Sequence, residues 1–264
     1  MDYFAGNKAA WEEAFEKRRA GWGDDNHLRL KKTKFAFFDN DLKAEVESMD
    51  FAGKDVAQFC CNNGREVLSL LDGGARSAVG FDIAEGAVAQ ARETAEKAGI
   101  TNCDFVACNI LDIPESYHGR FDFIFFTIGA LIWFDDLAPL FEKTSKCLRP
   151  NGLLLINDTH PMLNMLPMPE EAGFDPSDLN RTFHSYFRKD ACVENDGMSY
   201  MSGKYYSKTF TSFYHTMSDI VNALSVNDMK TVKLSEYDYD VGDVSVYNGK
   251  GFPLSFILIA QKSG

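Results

Sequence analysis

Asp82 and the turn Cys61–Gly64 are the residues whose type and spacing point most directly to chemistry. Asp82 ends the apolar run Ala78-Val79-Gly80-Phe81 and lies about 20 residues beyond the turn, where a carboxylate can accept hydrogen bonds from ribose hydroxyls. The turn joins a short apolar run, Val56, Ala57, Phe59 and Cys60, to the helical rhythm of Val67, Leu68, Leu70 and Leu71. Strand, turn, helix, strand and acidic residue make a nucleotide-binding βαβ unit. Gly64 removes a side chain where the helix opens, so backbone can approach a ligand closely. The plainer role for Asp82 is to cap the next helix. Asp158-Thr159-His160 follows the apolar run Leu153–Ile156, at the strand end where open α/β sheets bind ligands.

The remaining elements must position these groups. Residues 7–20 and 37–49 read as helices, the first with Trp11 and Phe15 on one face. After Asp82, Ala84, Val88, Ala91, Ala95 and Ala98 share a helical face that ends at Gly99. Further strands are expected at 104–108, 121–126 and 153–156, with a helix over 136–148. From Pro161 to about Ser202 the rhythm breaks, as in lids and binding loops. Lys204–His215 alternates like a strand, and Ser218 is expected to cap a helix over 219–229. Thr231–Glu236 and Leu254–Ala260 have no helix between them and should pair antiparallel.

The expected fold class is α/β: a Rossmann-like doubly wound sheet of seven strands, mostly parallel, with an antiparallel C-terminal hairpin. Residues 1–264 form one domain in this reading. It comprises an N-terminal helical cap (1–50), a cofactor-binding core (53–160), an inserted lid (161–202) and C-terminal strands and helix (203–264).

Composition narrows the function. A net charge of −12 lacks the basic footprint that nucleic-acid binding needs. The six cysteines include no CxxC pair, so neither a zinc site nor a disulfide framework is indicated. There is no basic-then-apolar leader and no membrane-length apolar run, so a cytoplasmic protein is expected.

Three stretches carry a resemblance. Leu148-Arg-Pro-Asn-Gly-Leu-Leu-Leu-Ile156 is similar to the helix end, turn and fifth strand of class I S-adenosylmethionine-dependent methyltransferases. Ile128-Gly-Ala-Leu-Ile-Trp-Phe-Asp-Asp136 resembles the loop after their fourth strand. His215–Leu224, leading into Leu234-Ser-Glu236, resembles the C-terminal part of the small-molecule subgroup. The first motif departs from the family pattern. Gln58 replaces its acidic residue, Cys60 and Asn62 replace two glycines, and Gly64 keeps the third. Asn62 tolerates a left-handed backbone, whereas Gln58 can hydrogen-bond but brings no charge to the cofactor's ammonium group.

The resemblance implies S-adenosyl-L-methionine as cofactor and a small-molecule acceptor. Cys60, Asn62, Asn63 and Gly64 would line the methionine portion, and Thr127 and Ile128 would face it. Asp82 would hold the ribose, Ile83 would pack on the adenine, and Asn109 with Ile110 would border its edge. Asn109 is as readily a turn residue. Cys60 and Cys61 read as packing residues, because no basic neighbour lowers their pKa. Where the acceptor must lose a proton, His160 and His215 are the candidate bases, with Asp158 orienting His160. The alternative for each is a structural role. The N-terminal helix and 161–202 would jointly cover the acceptor, unless 161–202 builds a dimer contact. Competing functions are an NAD-dependent oxidoreductase and a non-catalytic S-adenosylmethionine-binding protein. The first lacks support from the turn, which has no G-x-G-x-x-G.

Overall fold

The computed structural model describes residues 3–242 and 244–264. Three helices precede the sheet: α1 (Tyr3–Glu16), α2 (Asn26–Lys32) and α3 (Asn40–Glu47). The core alternates β1 (Asp55–Phe59), α4 (Arg65–Leu71), β2 (Ser77–Asp82), α5 (Glu85–Ala98), β3 (Cys103–Ala107), β4 (Phe121–Phe126), α6 (Leu137–Cys147) and β5 (Leu148–Thr159). It is followed by β6 (Cys192–Glu194), α7 (Ser199–Ser202), β7 (Phe210–Ser212), α8 (Met217–Ser225), β8 (Met229–Tyr237) and β9 (Ser255–Lys262).

The main sheet has seven strands in the order β3-β2-β1-β4-β5-β9-β8. Neighbours from β3 to β5 pair parallel, with Gln58 opposite Gly80 on one side and Phe125 on the other. β9 runs antiparallel to both β5 and β8, placing Thr231 opposite Ala260 and Ile156 opposite Leu258. The expected terminal hairpin is therefore present, with β8 at the edge.

The alternation of side chains across the pleat builds two cores, one on each face. Ala57, Phe59, Phe81, Phe121, Ile124 and Phe126 pack toward α6 and α8. Val56, Phe123, Phe125 and Phe105 pack toward α3, α4 and α5. Burying each such phenylalanine contributes about 1.5–3 kcal/mol, which explains why β4 is apolar along almost its whole length.

Several boundaries differ from the sequence reading. α1 spans Tyr3–Glu16 rather than 7–20, and α2 had no amphipathic signal to announce it. α3 starts at Asn40 because Asp39 accepts from the N–H groups of Asp41 and Leu42; Phe37 and Phe38 belong to the preceding turn. Of Lys204–His215 only Phe210–Ser212 is a strand, paired with β6 in a separate two-stranded sheet. α8 is capped by Thr216, not Ser218, through a reciprocal capping box with Asp219.

Among the described residues no helix is long and apolar enough to cross a membrane.

Candidate active site

The carboxyl ends of the central strands open onto a cavity of about 350 Å³, within the ~300–1,000 Å³ typical of small-ligand sites. It lies at the topological switch point, where β1 has β2 on one side and β4 on the other. Cys60 and Asn62 follow β1, Asp82 ends β2 and Ile83 follows it. Asn109 and Ile110 follow β3, and Thr127 and Ile128 follow β4. All eight line the cavity.

The turn after β1 is left-handed at alternate residues: Cys60 has φ 55°, Asn62 φ 48° and Gly64 φ 71°. These are the positions at which the sequence comparison set glycines against Cys60, Asn62 and Gly64. A non-glycine residue in this region costs about 1–2 kcal/mol, so the fold accepts strain at Cys60 to keep the turn. Gly64 has no such latitude, since a Cβ there would lie 2.4 Å from the Phe105 ring and 2.8 Å from Ala91.

Asp82 fixes this turn. Its Oδ2 accepts from Asn62 N–H at 2.7 Å and its Oδ1 from Ala84 N–H at 2.9 Å. The capping and cavity roles thus coexist in one carboxylate. Loss of hydration pushes its pKa up to about 6, against those backbone donors. Asn109 is likewise both turn residue and cavity wall, with Oδ1 accepting from Leu111 N–H at 3.1 Å. Burial also raises the Cys60 and Cys61 thiols, which fits packing rather than nucleophilic roles.

Three expected cofactor residues stand behind the wall. Gln58 is buried, donating to Thr127 Oγ1 at 2.8 Å and accepting from Val67 N–H at 3.1 Å. Asn63 donates to Gln90 Oε1 at 3.3 Å, and Gly64 packs on Phe105. Their part is to shape the turn.

The three candidate acid–base residues also lie outside the cavity lining. Asp158 is buried and accepts from Gly129 N–H at 2.6 Å and Thr159 N–H at 2.8 Å. It therefore anchors the loop after β4, and its burial pushes it up to about 6. His160 Nδ1 accepts from Met162 N–H at 3.0 Å, which leaves its proton on Nε2, 2.9 Å from Glu236. His215 Nε2 donates to the Phe134 carbonyl at 2.8 Å. Burial lowers the pKa of both rings. Asp158 does not touch His160's ring nitrogens, so the expected pair is not formed.

The roof comes from outside the core. Phe4, Asn7 and Trp11 of α1 reach the cavity, as do Trp22, Met198 and Tyr200. Trp11 meets Trp133 edge-on with centroids 5.6 Å apart. Asn7 is spent on Thr211, donating to its carbonyl at 2.8 Å and accepting from its N–H at 2.7 Å. Only the end of 161–202 joins this roof. Leu163, Leu166, Met168 and Phe174 pack instead with Tyr247 and Leu254, beside the C-terminal hairpin. Arg65, Glu66 and Tyr200 were missed by the sequence reading. The first two follow Gly64 directly and could have been found from the turn, whereas Tyr200 carries no local signal.

A sequence model of the methyltransferase domain matches residues 52–209. Ribosomal protein L11 methyltransferases of Pseudomonas aeruginosa are 25% identical over 159 residues, covering 60% of this chain and 48% of their own length. The chain thus spans about half the length of the curated relatives it matches. A solved S-adenosylmethionine-dependent methyltransferase from Mesorhizobium loti has a TM-score of 0.63 at 18% identity, covering 88% of this chain and 100% of that one. The 1,6-didemethyltoxoflavin-N1-methyltransferase of Burkholderia thailandensis, solved with 1,6-didemethyltoxoflavin and S-adenosylhomocysteine, has a TM-score of 0.57 at 15% identity, covering 100% of this chain and 90% of that one. At these identities the two solved structures share the fold.

Proposed function

The chain belongs to the methyltransferase domain family, and from that premise we propose that it transfers a methyl group from S-adenosylmethionine to a small, largely apolar acceptor. The observation that carries this reading is the cavity itself, polar at the strand ends and aromatic beneath α1. The donor set fits the cofactor: a carboxylate for the ribose in Asp82, apolar flanks for the adenine in Ile83 and Ile110, and an open turn at Cys60 and Asn62. Bound there, S-adenosylmethionine would supply an electrophilic methyl group on a sulfonium.

The chain's own residues bind, orient and exclude water. Positioning of reactants can contribute about 7–11 kcal/mol. Phe4, Trp11, Trp133 and Phe134 make the acceptor end apolar, and Asn7 beside them is already paired. Among the described residues, the acceptor end has no carboxylate or imidazole lining it. This favours an acceptor whose lone pair is free near neutral pH, such as a heterocyclic nitrogen, over an alcohol needing a base. The Burkholderia protein, solved with 1,6-didemethyltoxoflavin bound, supports the same class. The covering helix and apolar roof favour a small acceptor over a protein side chain. We further assign α1, Trp22 and the end of 161–202 to the cover.

The test is calorimetry with S-adenosylhomocysteine, then release of S-adenosylhomocysteine from S-adenosylmethionine across a panel of heterocyclic amines and alcohols. Binding with turnover on the amines supports the reading. Absence of S-adenosylhomocysteine binding, or binding of NAD in its place, overturns it.

A further inference from the structure

Gln58 stands where an acidic residue would face the cofactor's ammonium group, and both ends of its amide are committed to Val67 and Thr127. The missing charge is found elsewhere. On the first turn of α4, Arg65 and Glu66 reach the cavity as an ion pair, with Nε 2.6 Å from Oε1. The Glu66 side chain is 12% exposed and that of Arg65 39% exposed, so the pair sits in the wall rather than on the outer surface. Among the described residues, the second oxygen of Glu66 and the terminal nitrogens of Arg65 have no hydrogen-bond partner. Phe37 backs the guanidinium, its ring centre 5.5 Å away.

Tyr200 faces the same turn. Its oxygen accepts from Asn62 Nδ2 at 3.2 Å, leaving the phenolic proton to be donated. Tyr200 is 39% exposed, and its phenol, with an ordinary pKa of ~10, is protonated at neutral pH.

The strand ends order the ligand. Asp82 ends β2, Ile83 follows it and Asn109 follows β3, so adenosine would lie over that half of the cavity. The amino-acid end would then lie over β1 and β4, beside Arg65 and Glu66. We propose that Glu66 takes the ammonium contact that Gln58 does not make, while Arg65 and Tyr200 hold the carboxylate of the same amino-acid end. The inference rests on reading the cavity as an S-adenosylmethionine site. A paired cation and anion suit a zwitterion, because each ligand charge gains a charge-assisted hydrogen bond.

Two ligands test it on the full chain by calorimetry: S-adenosylhomocysteine, and 5′-methylthioadenosine, which keeps the adenosine and sulfur but lacks the amino acid. Glu66→Gln and Arg65→Gln should each weaken S-adenosylhomocysteine binding about 10- to 100-fold, as for lost hydrogen bonds to charged groups. Binding of 5′-methylthioadenosine should stay at the wild-type value, which also reports that the variants fold. Tyr200→Phe should weaken S-adenosylhomocysteine binding by about 10-fold or more, since its hydroxyl also donates to a charged group. Asp82→Asn, the control for the cofactor reading, should weaken both ligands. If Glu66→Gln and Arg65→Gln bind S-adenosylhomocysteine normally while Asp82→Asn weakens both ligands, the proposal fails and the cofactor reading stands. Equal losses for both ligands in Glu66→Gln also overturn it, since the pair would then only support the turn. If the wild type binds neither ligand, the cofactor reading itself is wrong.

Discussion

Glu12 Oε1 lies 2.5 Å from the backbone nitrogen of Glu85, and its second oxygen lies 3.1 Å from that of Gly86. Helix α5 has Ala84 at its N-cap, a residue with no side-chain acceptor, so α1 provides the cap from outside. Because α5 starts three residues after Asp82, this contact ties α1 to the strand end that holds the ribose-binding candidate. Glu12→Ala should lower unfolding stability by about 1 kcal/mol, the usual effect of losing a cap. It should also weaken S-adenosylhomocysteine binding. Chemical denaturation and calorimetry on one preparation test both. Unchanged stability would mean that water satisfies these two N–H groups as well as Glu12 does. Removing residues 1–20 would take Glu12, Phe4 and Trp11 together, so the deletion should weaken cofactor binding as well as turnover.

The pH dependence of stability and of binding should separate at Asp82. Its pKa, about 6 in the fold, lies above the unfolded value near ~3.9. Its contribution to stability is therefore complete below about pH 4 and is lost as pH rises through about 6. Asp158 behaves in the same way. His160 and His215 act in the opposite sense, because a depressed histidine pKa removes stability as pH falls below ~6.5. The share of Asp82 is thus read as a difference. The stability difference between Asp82→Asn and wild type should move in the variant's favour as pH rises from about 4 to about 8, because the amide does not titrate. Ribose binding needs the ionised carboxylate as acceptor, so wild-type affinity for 5′-methylthioadenosine should fall below pH 6 and the variant should show no such step. A parallel pH profile for the two proteins would remove Asp82 from both effects.

Much of this was legible in the chain, for physical reasons particular to each part. The parallel strands are buried on both faces, so Val56–Phe59 and Phe121–Phe126 are apolar runs that periodicity finds easily. Asp82 was found because strand and turn fix its distance from Gly64. The roof was harder. Trp11 was visible as a helix-face residue, but its meeting with Trp133 depends on contacts far apart in sequence. His160 and Asp158 sit at the expected strand end, yet the loop after β4 and Glu236 of β8 take up their polar atoms. Strand position placed them near the crevice; only the hydrogen-bond partners show which way they are spent.

Asp158 is expected to act on stability first. Its carboxylate holds the N–H groups of Gly129 and Thr159 inside the protein. Asp158→Ala should cost roughly 1–3 kcal/mol, the penalty for leaving a buried donor unpaired. His215→Gln should be milder, because an amide can still donate to the Phe134 carbonyl. For His215→Gln and His160→Gln, turnover per folded molecule should remain within about threefold of wild type, since neither ring touches the cavity; a removed general base would cost about 10²–10⁴-fold. A loss of that size in a stable His160→Gln protein would restore the histidine to the reaction.

The last prediction concerns how Tyr200 is held. Arg19 donates to three successive carbonyls of α7: Nη2 to Ser199 and Tyr200, each at 2.9 Å, and Nε to Met201 at 3.3 Å. Its own backbone N–H also reaches the Met201 carbonyl at 2.9 Å. A helix of four residues cannot satisfy its terminal carbonyls internally, so the guanidinium does it from the loop after α1. The planar fork is what allows one side chain to serve three acceptors, and lysine cannot reproduce it. Arg19→Lys should therefore behave like Arg19→Met despite keeping the charge. Both variants should show faster amide exchange over residues 199–202. Both should weaken S-adenosylhomocysteine binding about as much as Tyr200→Phe does, because the hydroxyl would no longer be held against Asn62. Combining Arg19→Met with Tyr200→Phe should add little further loss, as expected for two residues acting through one contact. Fully additive losses would show that Arg19 contributes to binding by a route other than Tyr200.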